Sequence, residues 1–325
     1  MFRTKKLLQL VLVLLILLII VFQITVFADK YPTKPVEVIV AWSAGGSTDV
    51  VARILCERLE KVLGQRFLVI NKPGAGGEIG FTEIALAKPD GYRIGMINIP
   101  AAITPYLFRP EACKYTIESF TPIANIITDP GTVTVRADSP FDTLEDFVEY
   151  AKEHPGALPI ANDGIGASSH LNQLVFEYVA GIELNKVPFA GDAPQRAAVL
   201  GGHIAACGIK GSEAYPYVKE GTMRVLGVMT KKRVSFLPDV PTFEEQGYPV
   251  FAFSARGVVG PKGLSVEIRK ILADAIAKVV ASPEFVEKAQ TKLKMPIDYI
   301  AGDEYVEFLK EQDKLTRIIW EKVKK

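Results

Sequence analysis

The amino-acid sequence predicts an α/β protein with two lobes, and three observations support this prediction. From Val36 onward, short runs of apolar and β-branched residues alternate with amphipathic helical stretches, a pattern typical of parallel sheets covered by helices. The same alternation resumes after about residue 131. The chain has 325 residues, enough for two domains that each bury a core. We therefore expect two lobes, each a mainly parallel sheet flanked by helices.

The elements of the first half follow from the hydrophobic pattern. An apolar run at residues 36–40 predicts a strand. A one-sided apolar pattern at residues 48–63 predicts a helix, and Gly64 stands where its C-terminal cap is expected. A strand, a helix and a strand then follow, predicted at residues 67–71, 78–87 and 93–97.

The second half repeats this organisation, and its tail is predicted to be mostly helical. Strands are predicted near residues 132–135, 158–161, 183–187, 205–209 and 223–229. Helices are predicted at residues 144–153, 168–179 and 194–200. The helical tail covers residues 266–325 and is interrupted at Pro283 and Gly302.

Composition and charge exclude several classes of protein. Hydrophobic residues make up 49% of the chain and charged residues 23%, as in ordinary globular proteins. The net charge of +1 gives no reason to expect nucleic acid as a partner. The cysteines, Cys56, Cys113 and Cys207, are odd in number and lack metal-like spacing. We therefore predict neither a disulfide framework nor a metal site, and expect small buried thiols.

The N-terminus has the three-part layout of a secretory signal peptide. A basic head at residues 3–6 precedes an apolar run at residues 7–27, and Ala28 ends a small-residue cleavage pattern. We predict a signal peptide over residues 1–28 that is cleaved after Ala28. The alternative is a retained membrane anchor, because the apolar run could span the roughly 30 Å of a bilayer core. Both possibilities place the folded part outside the cytoplasm, in the periplasm or an equivalent compartment.

Two glycine-rich turns each leave a predicted strand and open a predicted helix. One is Ser43-Ala44-Gly45-Gly46-Ser47-Thr48-Asp49, and the other is Asp163-Gly164-Ile165-Gly166-Ala167-Ser168-Ser169. Backbone N–H groups at a helix N-terminus, with serine hydroxyls beside them, form an anion-binding site. Open α/β sheets bind ligands at these ends of their strands. The two turns could therefore hold an anionic ligand across a cleft, or they could be only tight turns with helix caps.

A third glycine-rich loop, Pro73-Gly74-Ala75-Gly76-Gly77, invites comparison with a dinucleotide-binding fingerprint. Its glycine spacing differs from the fingerprint, Pro73 interrupts it, and the next strand ends in Asn98 with no acid to hold a ribose. An exported protein also meets no nicotinamide pool, and the sequence contains no P-loop motif. We therefore predict that the protein has no cofactor.

Groups suited to catalysis are few. The histidines, His154, His170 and His203, do not pair at helical spacing, and no metalloprotease or nucleophile-elbow motif occurs. His170 could line a cleft or be an ordinary, partly buried histidine. An exported hydrolase that uses Ser168 or Ser43 with His170 is an alternative, but no third orienting residue stands at a recognisable spacing. We therefore predict a protein that is not an enzyme.

Nine short motifs occur in a fixed order along the predicted mature chain. They are Tyr31-Pro32-Thr33-Lys34-Pro35-Val36, Ala44-Gly45-Gly46-Ser47-Thr48-Asp49-Val50-Val51-Ala52-Arg53, Asn71-Lys72-Pro73-Gly74-Ala75-Gly76-Gly77, Pro89-Asp90-Gly91-Tyr92, Gly166-Ala167-Ser168-Ser169-His170-Leu171, Val187-Pro188-Phe189, Leu200-Gly201-Gly202, Leu237-Pro238-Asp239-Val240-Pro241-Thr242 and Gly260-Pro261-Lys262-Gly263. Each motif alone is weak evidence, but the nine in register are specific. Together they resemble the solute receptors of tripartite tricarboxylate transporters, also called Bug-type receptors.

This resemblance implies a type II-like periplasmic-binding-protein fold, in which two lobes joined by two crossing segments close on a ligand. On this chain the first lobe would comprise residues 29–128 and 252–325, and the second lobe residues 129–251. The resemblance implies that the two turns hold a ligand carboxylate. The ligand-binding residues assigned on this basis are Ser43, Ala44, Gly45, Gly46, Ser47, Asn98, Gly166, Ala167, Ser168, Ser169, Phe189 and Lys210.

The resemblance also implies a role and partners. The protein would bind a small carboxylate, with di- or tricarboxylates favoured, and deliver it to two integral-membrane permease subunits. It would act as a monomer. A receptor of the same fold that serves a sensor rather than a transporter is the alternative.

Two departures from the family pattern concern the identity of the ligand. The chain has Phe189-Ala190-Gly191-Asp192 where the family usually has Tyr-Lys-Gly-Gly, and Gly208-Ile209-Lys210 where the family often has Phe-Asp-Asn. We hypothesise that Lys210 compensates the charge at the far end of a ligand with two carboxylates. The alternative is a solvated loop lysine, because lysine is almost never fully buried without a partner. Arg256 is a second, weaker candidate for a cation in the cleft.

Overall fold

The computed structural model describes residues 31–323. The predicted signal peptide, residues 1–28, therefore lies outside the described residues. The described chain forms two β-sheets with helices packed against them. We call the six-stranded sheet with its helices the first lobe and the five-stranded sheet with its helices the second lobe.

The strands and helices are numbered in chain order. The strands are β1 (Val36–Val40), β2 (Phe67–Asn71), β3 (Arg93–Ile99), β4 (Phe120–Pro130), β5 (Thr132–Arg136), β6 (Pro159–Asn162), β7 (Asn185–Pro188), β8 (Ala206–Cys207), β9 (Met223–Val228), β10 (Phe253–Pro261) and β11 (Ile297–Ala301). The helices are α1 (Ser47–Leu63), α2 (Glu78–Ala85), α3 (Thr104–Phe108), α4 (Leu144–Glu153), α5 (Ser168–Ala180), α6 (Asp192–Leu200), α7 (Gly211–Lys219), α8 (Val266–Val280), α9 (Pro283–Phe285) and α10 (Gly302–Val323), and a π-helical stretch, Val286–Lys292, continues α9.

Both sheets are mixed. The first has the strand order β11-β4-β10-β3-β1-β2, with β1 parallel to β2 and β3, and with β10 antiparallel to β3 and β4. The second has the order β7-β6-β8-β5-β9, with β6 parallel to β7 and β8, and with β5 antiparallel to β8 and β9. The α/β fold is confirmed, but the expectation of mainly parallel sheets is wrong. The parallel pairs involve strands that follow one another through helical connections. The long strands β4 and β10, which lead into and out of the second lobe, are antiparallel to their neighbours.

The chain crosses between the sheets at two places that are hydrogen-bonded to each other. It leaves the first sheet at the end of β4 and enters β5 after Gly131, and it returns to β10 after Ala252. Gly131 N–H donates to the Ala252 carbonyl at 2.9 Å, and Met229 N–H donates to the Gly131 carbonyl at 2.9 Å. Both sheets belong to one compact unit that begins at Lys34. The lobe limits given from the sequence remain predictions.

Buried aromatic side chains anchor the strands from which the glycine-rich turns emerge. In the first lobe, Trp42 packs edge-on against Phe81, with ring centroids 6.1 Å apart, and Phe81 packs edge-on against Tyr115. In the second lobe, Phe147 of α4 and Phe176 of α5 lie in one buried cluster with the strand residues of β5 and β6. Burial of side chains of this size stabilises each lobe by roughly 1.5–3 kcal/mol per residue.

The predicted strands and helices are found within a few residues of their expected limits. Strands β4, β10 and β11 and helices α3 and α7 were missed. The buried polar residues Asn125, Asp129 and Arg256 obscure the apolar pattern of β4 and β10. Pro216 inside α7 breaks the helical pattern there. Within residues 31–323, none of the helices combines the length and the apolar character that crossing a membrane requires.

Candidate functional site

The turn after β1 is hydrogen-bonded to the second lobe at both ends. Ser43 Oγ donates to the carbonyl oxygen of Ala190 at 2.6 Å. Ser47 N–H, at the start of α1, donates to Glu213 Oε1 at 3.2 Å. Between them, Ala44 and Gly45 are exposed. A carboxylate of the protein therefore lies at the helix N-terminus where the sequence predicted a ligand anion.

Asn98 of β3 is hydrogen-bonded to residues on both sides of this turn. Its Nδ2 donates to Thr48 Oγ1 at 2.8 Å, and its Oδ1 accepts from Trp42 Nε1 at 2.7 Å. The side chain is only 3% exposed. Asn98 thus ties β3 to the residues on either side of the turn, and its role in ligand binding remains a prediction.

The turn after β6 is stabilised by a carboxylate within the same lobe. Ser169 N–H donates to Asp163 Oδ1 at 3.0 Å, Ser169 Oγ donates to the same oxygen, and Asp163 N–H donates to Ser169 Oγ at 2.9 Å. Gly166 N–H donates to His170 Nδ1 at 3.2 Å. Ser168 Oγ is buried and has no hydrogen-bond partner among residues 31–323. Among the hydroxyls of the two predicted turns, Ser168 Oγ is thus the one without any hydrogen-bond partner in the described chain.

Lys210 is a buried cation between two carboxylates. Its side chain is 2% exposed, and Nζ lies 2.8 Å from both Asp163 Oδ2 and Asp192 Oδ1. Burial alone would lower the pKa of this ammonium, but the charges of Asp163, Asp192 and Glu213 raise it above its ordinary value. The solvated-lysine alternative is therefore wrong. Lys210 remains a proposed ligand residue, although its charge is already compensated within the protein.

Arg256 is fully buried in β10 and links the two lobes. Its Nη1 donates to Asp129 Oδ2 at 3.1 Å, its Nη2 donates to Ser47 Oγ at 2.5 Å, and Nη2 lies 4.0 Å from Glu213 Oε1. Asp129 in turn accepts from Ser212 N–H at 3.2 Å at the start of α7, and from the Ser212 hydroxyl. Each lobe thus supplies a carboxylate that accepts from the N-terminus of a helix in the other lobe. Glu213 of α7 caps α1, and Asp129 of β4 caps α7.

Burial and crowding of like charges perturb the carboxyl groups of this network. Burial and the charge of Glu213 raise the pKa of Asp192 to about 6, although Lys210 opposes the shift. Burial likewise raises the pKa of Asp129, against the opposing effect of Arg256. Asp192 and Asp129 were missed as site residues in the sequence analysis. The cations Lys210 and Arg256 were the signal that could have indicated them, because a buried cation requires an acidic partner.

A cavity of about 290 Å³ lies between the lobes. It is lined by Trp42, by the third glycine-rich loop (residues 74–77), by residues 163–165 and by residues 188–190. Phe189 is therefore the one residue of the predicted set that lines the cavity. The sequence analysis did not predict that the third loop forms a wall of the cavity, although glycines in a loop allow close backbone approach. At Gly76 an added Cβ would lie 2.0 Å from the carbonyl oxygen of Ile165 in the other lobe.

His170 lies in a separate pocket beside α10 and does not form a catalytic pair. Its ring packs against Phe108, with centroids 5.7 Å apart. Ser43 Oγ donates to a carbonyl oxygen, and neither predicted serine is hydrogen-bonded to His170 within the described chain. Burial and the nearby Lys186 lower the pKa of His170 to about 4, against the opposing charge of Asp163. The ring is thus neutral and accepts a hydrogen bond.

Replacing His170 with glutamine should make the protein less sensitive to acid. The pKa of a histidine in the unfolded chain is about 6.5, above the value of about 4 in the folded protein. The neutral ring therefore contributes stability that is present above pH 6.5 and is lost as the pH falls through 4, on the order of 3 kcal/mol. The measurement is the difference in unfolding free energy between the parent and His170→Gln from pH 7 to pH 4.

Asp192 and Asp129 are present in both proteins, so their contributions to the pH dependence of the unfolding free energy cancel in this difference. His203→Gln, at an exposed position, is the matched control for the substitution itself. A flat difference for His170→Gln would contradict the burial of a neutral imidazole.

Comparison with known proteins places this geometry in a family. Residues 51–324 match the model of the tripartite tricarboxylate transporter family receptor. The chain is 32% identical over 296 residues to a UPF0065 protein in the gbd 5' region of Cupriavidus necator, covering 91% of this chain and 89% of that protein.

Two solved structures are similar in fold. The periplasmic binding protein BugD has a TM-score of 0.85 and 31% identity, covering 90% of this chain and 98% of that chain. Rpa4515 of R. palustris, whose structure is described with adipate, has a TM-score of 0.85 and 25% identity with the same coverage. The family is one of solute-binding receptors rather than enzymes, as predicted. The chain belongs to the receptor family of the tripartite tricarboxylate transporters.

Proposed function

We propose that this protein is an exported receptor that binds a small carboxylate in the cavity between its lobes and delivers it to a membrane permease of two subunits. The observation that carries the proposal is the cavity itself, which lies where glycine-rich turns of both lobes meet. Its volume of about 290 Å³ is close to the lower end of the roughly 300–1,000 Å³ usual for small-molecule pockets. Rpa4515, a relative of the same fold, is described with adipate, which is a carboxylate.

Ligand capture follows from the position of the turns. Glycine-rich backbone of both lobes, at residues 74–77 and residues 163–165, lines the cavity, and backbone N–H groups of such turns bind anions. Ser43 and Gly76 contact the second lobe in this closed arrangement. A ligand that contacts both lobes favours the closed state by its differential affinity for that state. The closed receptor is then the form that the permease would accept.

Thermal unfolding in the presence of a carboxylate panel tests the proposal. The panel comprises citrate, tartrate, malate, succinate, glutamate, aspartate, nicotinate and benzoate. A true ligand at about 100 times its dissociation constant should stabilise the protein by about 2.7 kcal/mol, which raises Tm by several degrees. The protein is first unfolded and refolded to remove any ligand carried through purification. If no acid on the panel shifts Tm after this treatment, carboxylate binding is contradicted.

Transport is tested separately in cells. Uptake of the radiolabelled ligand should require the receptor, and it should fall to background when either permease subunit is deleted. Binding without any change in uptake would contradict the delivery step and leave the binding step standing.

A further inference from the structure

The walls of the interlobe cavity are mostly apolar, and this bears on which carboxylates fit. Trp42 and Phe189 contribute aromatic surface, and Pro188, Ala190 and Ile165 contribute aliphatic surface. The rest of the lining is glycine-rich backbone and a single acidic residue, Asp163. Among residues 31–323, no lysine, arginine or histidine lines this cavity.

The indole N–H of Trp42 is already hydrogen-bonded within the protein. Its Nε1–H donates to Asn98 Oδ1 at 2.7 Å, and its ring packs edge-on against Phe81. The indole is therefore fixed in place, and the part that remains for a ligand is apolar. Phe189 is held by its backbone, since Phe189 N–H donates to the Asn162 carbonyl at 2.9 Å, and its ring packs against the second-lobe core.

The cation nearest to the Asp163 end of the cavity is not available to a second ligand carboxylate. Lys210 Nζ lies 2.8 Å from both Asp163 and Asp192 and is 2% exposed. A second carboxylate in the cavity would lose its hydration without gaining a counter-charge, which is energetically costly. It would also approach the charge of Asp163.

We propose that the cavity selects a small monocarboxylate with an apolar body over di- and tricarboxylates. This inference rests on the proposed carboxylate-receptor function and replaces the preference for dicarboxylates that the sequence suggested. The single carboxylate meets backbone N–H groups of the glycine-rich turns, and the apolar body lies against Trp42 and Phe189. Apolar surface removed from water on these walls supplies the affinity.

Calorimetric titration of the exported protein with matched acids tests this selectivity. Each pair differs by one carboxylate: benzoate against terephthalate on the same ring, and hexanoate against adipate on the same six-carbon chain. The expected result is binding of at least one monocarboxylate, at least tenfold tighter than its dicarboxylate partner. If the dicarboxylates bind as tightly or more tightly, the inference is overturned while the receptor function stands. If neither these acids nor the wider panel bind, the inference and the proposed function both fail.

Two variants separate selectivity from general damage. Phe189→Ala should weaken the monocarboxylate at least tenfold, whereas Phe189→Lys should weaken it and strengthen binding of the dicarboxylate partner by adding a cation to the wall. Phe251→Ala is the matched control, because Phe251 is an aromatic residue that is 43% exposed and does not line the cavity. Phe189 variants that bind both acids as the control does would overturn the assignment of the apolar wall.

Discussion

Replacing Lys210 with methionine should destabilise the protein by about 3–5 kcal/mol, because two buried carboxylates would lose their shared counter-charge. Asp163 and Asp192 are both within 2.8 Å of Lys210 Nζ, and Lys210 is 2% exposed. Methionine keeps most of the side-chain volume, so the loss reflects charge rather than a cavity. The measurement is the free energy of unfolding in urea at pH 7.

Two further variants make this result interpretable. Lys270 pairs with Asp274 at 2.7 Å, but its side chain is 72% exposed, so Lys270→Met should cost less than about 1 kcal/mol. Adding Asp163→Asn and Asp192→Asn to Lys210→Met removes the unpaired charges and should recover much of the lost stability. A loss from Lys210→Met no larger than that of the Lys270 control would show that the ion pairs contribute little.

Replacing Gly76 with alanine should prevent full closure and weaken ligand binding at least tenfold. The new Cβ would lie 2.0 Å from the carbonyl oxygen of Ile165 and 3.3 Å from Ala167 N, which are backbone atoms of the other lobe. Backbone cannot move aside as a flexible side chain can, so the lobes must separate. Affinity falls with the fraction of molecules that can close. The readouts are titration with the tightest acid of the panel and small-angle X-ray scattering of the liganded protein.

Gly181→Ala is the matched control for backbone strain. Gly181 has φ of +64° against +66° for Gly76, but an added Cβ there has nothing within 4 Å. Both variants carry the strain of a left-handed residue, about 1–2 kcal/mol, and only Gly76→Ala meets the other lobe. Equal affinity in the two variants would mean that the loops do not approach this closely when ligand is bound.

The sequence predicted much of the fold because that information is local. Strand β1 and helix α4 were predicted with the limits that the structure has, since an apolar run and a one-sided apolar pattern are read within a few residues. Strands β4 and β10 were not predicted. Their pattern is broken by Asp129 and Arg256, which are tolerated in a buried sheet only because they pair with each other at 3.1 Å.

The candidate site was likewise predicted only where the information is local in the sequence. The sequence by itself determined the α/β class, the family and the position of the turns after β1 and β6, because glycine permits a tight turn and serine is favoured at the start of a helix. Only the tertiary structure decided what those turns face. Lys210 proved to be paired with Asp163 and Asp192, and residues 74–77 proved to be a wall of the cavity. These contacts join residues far apart in the chain, and their partners are fixed by the packing of two lobes rather than by any local pattern.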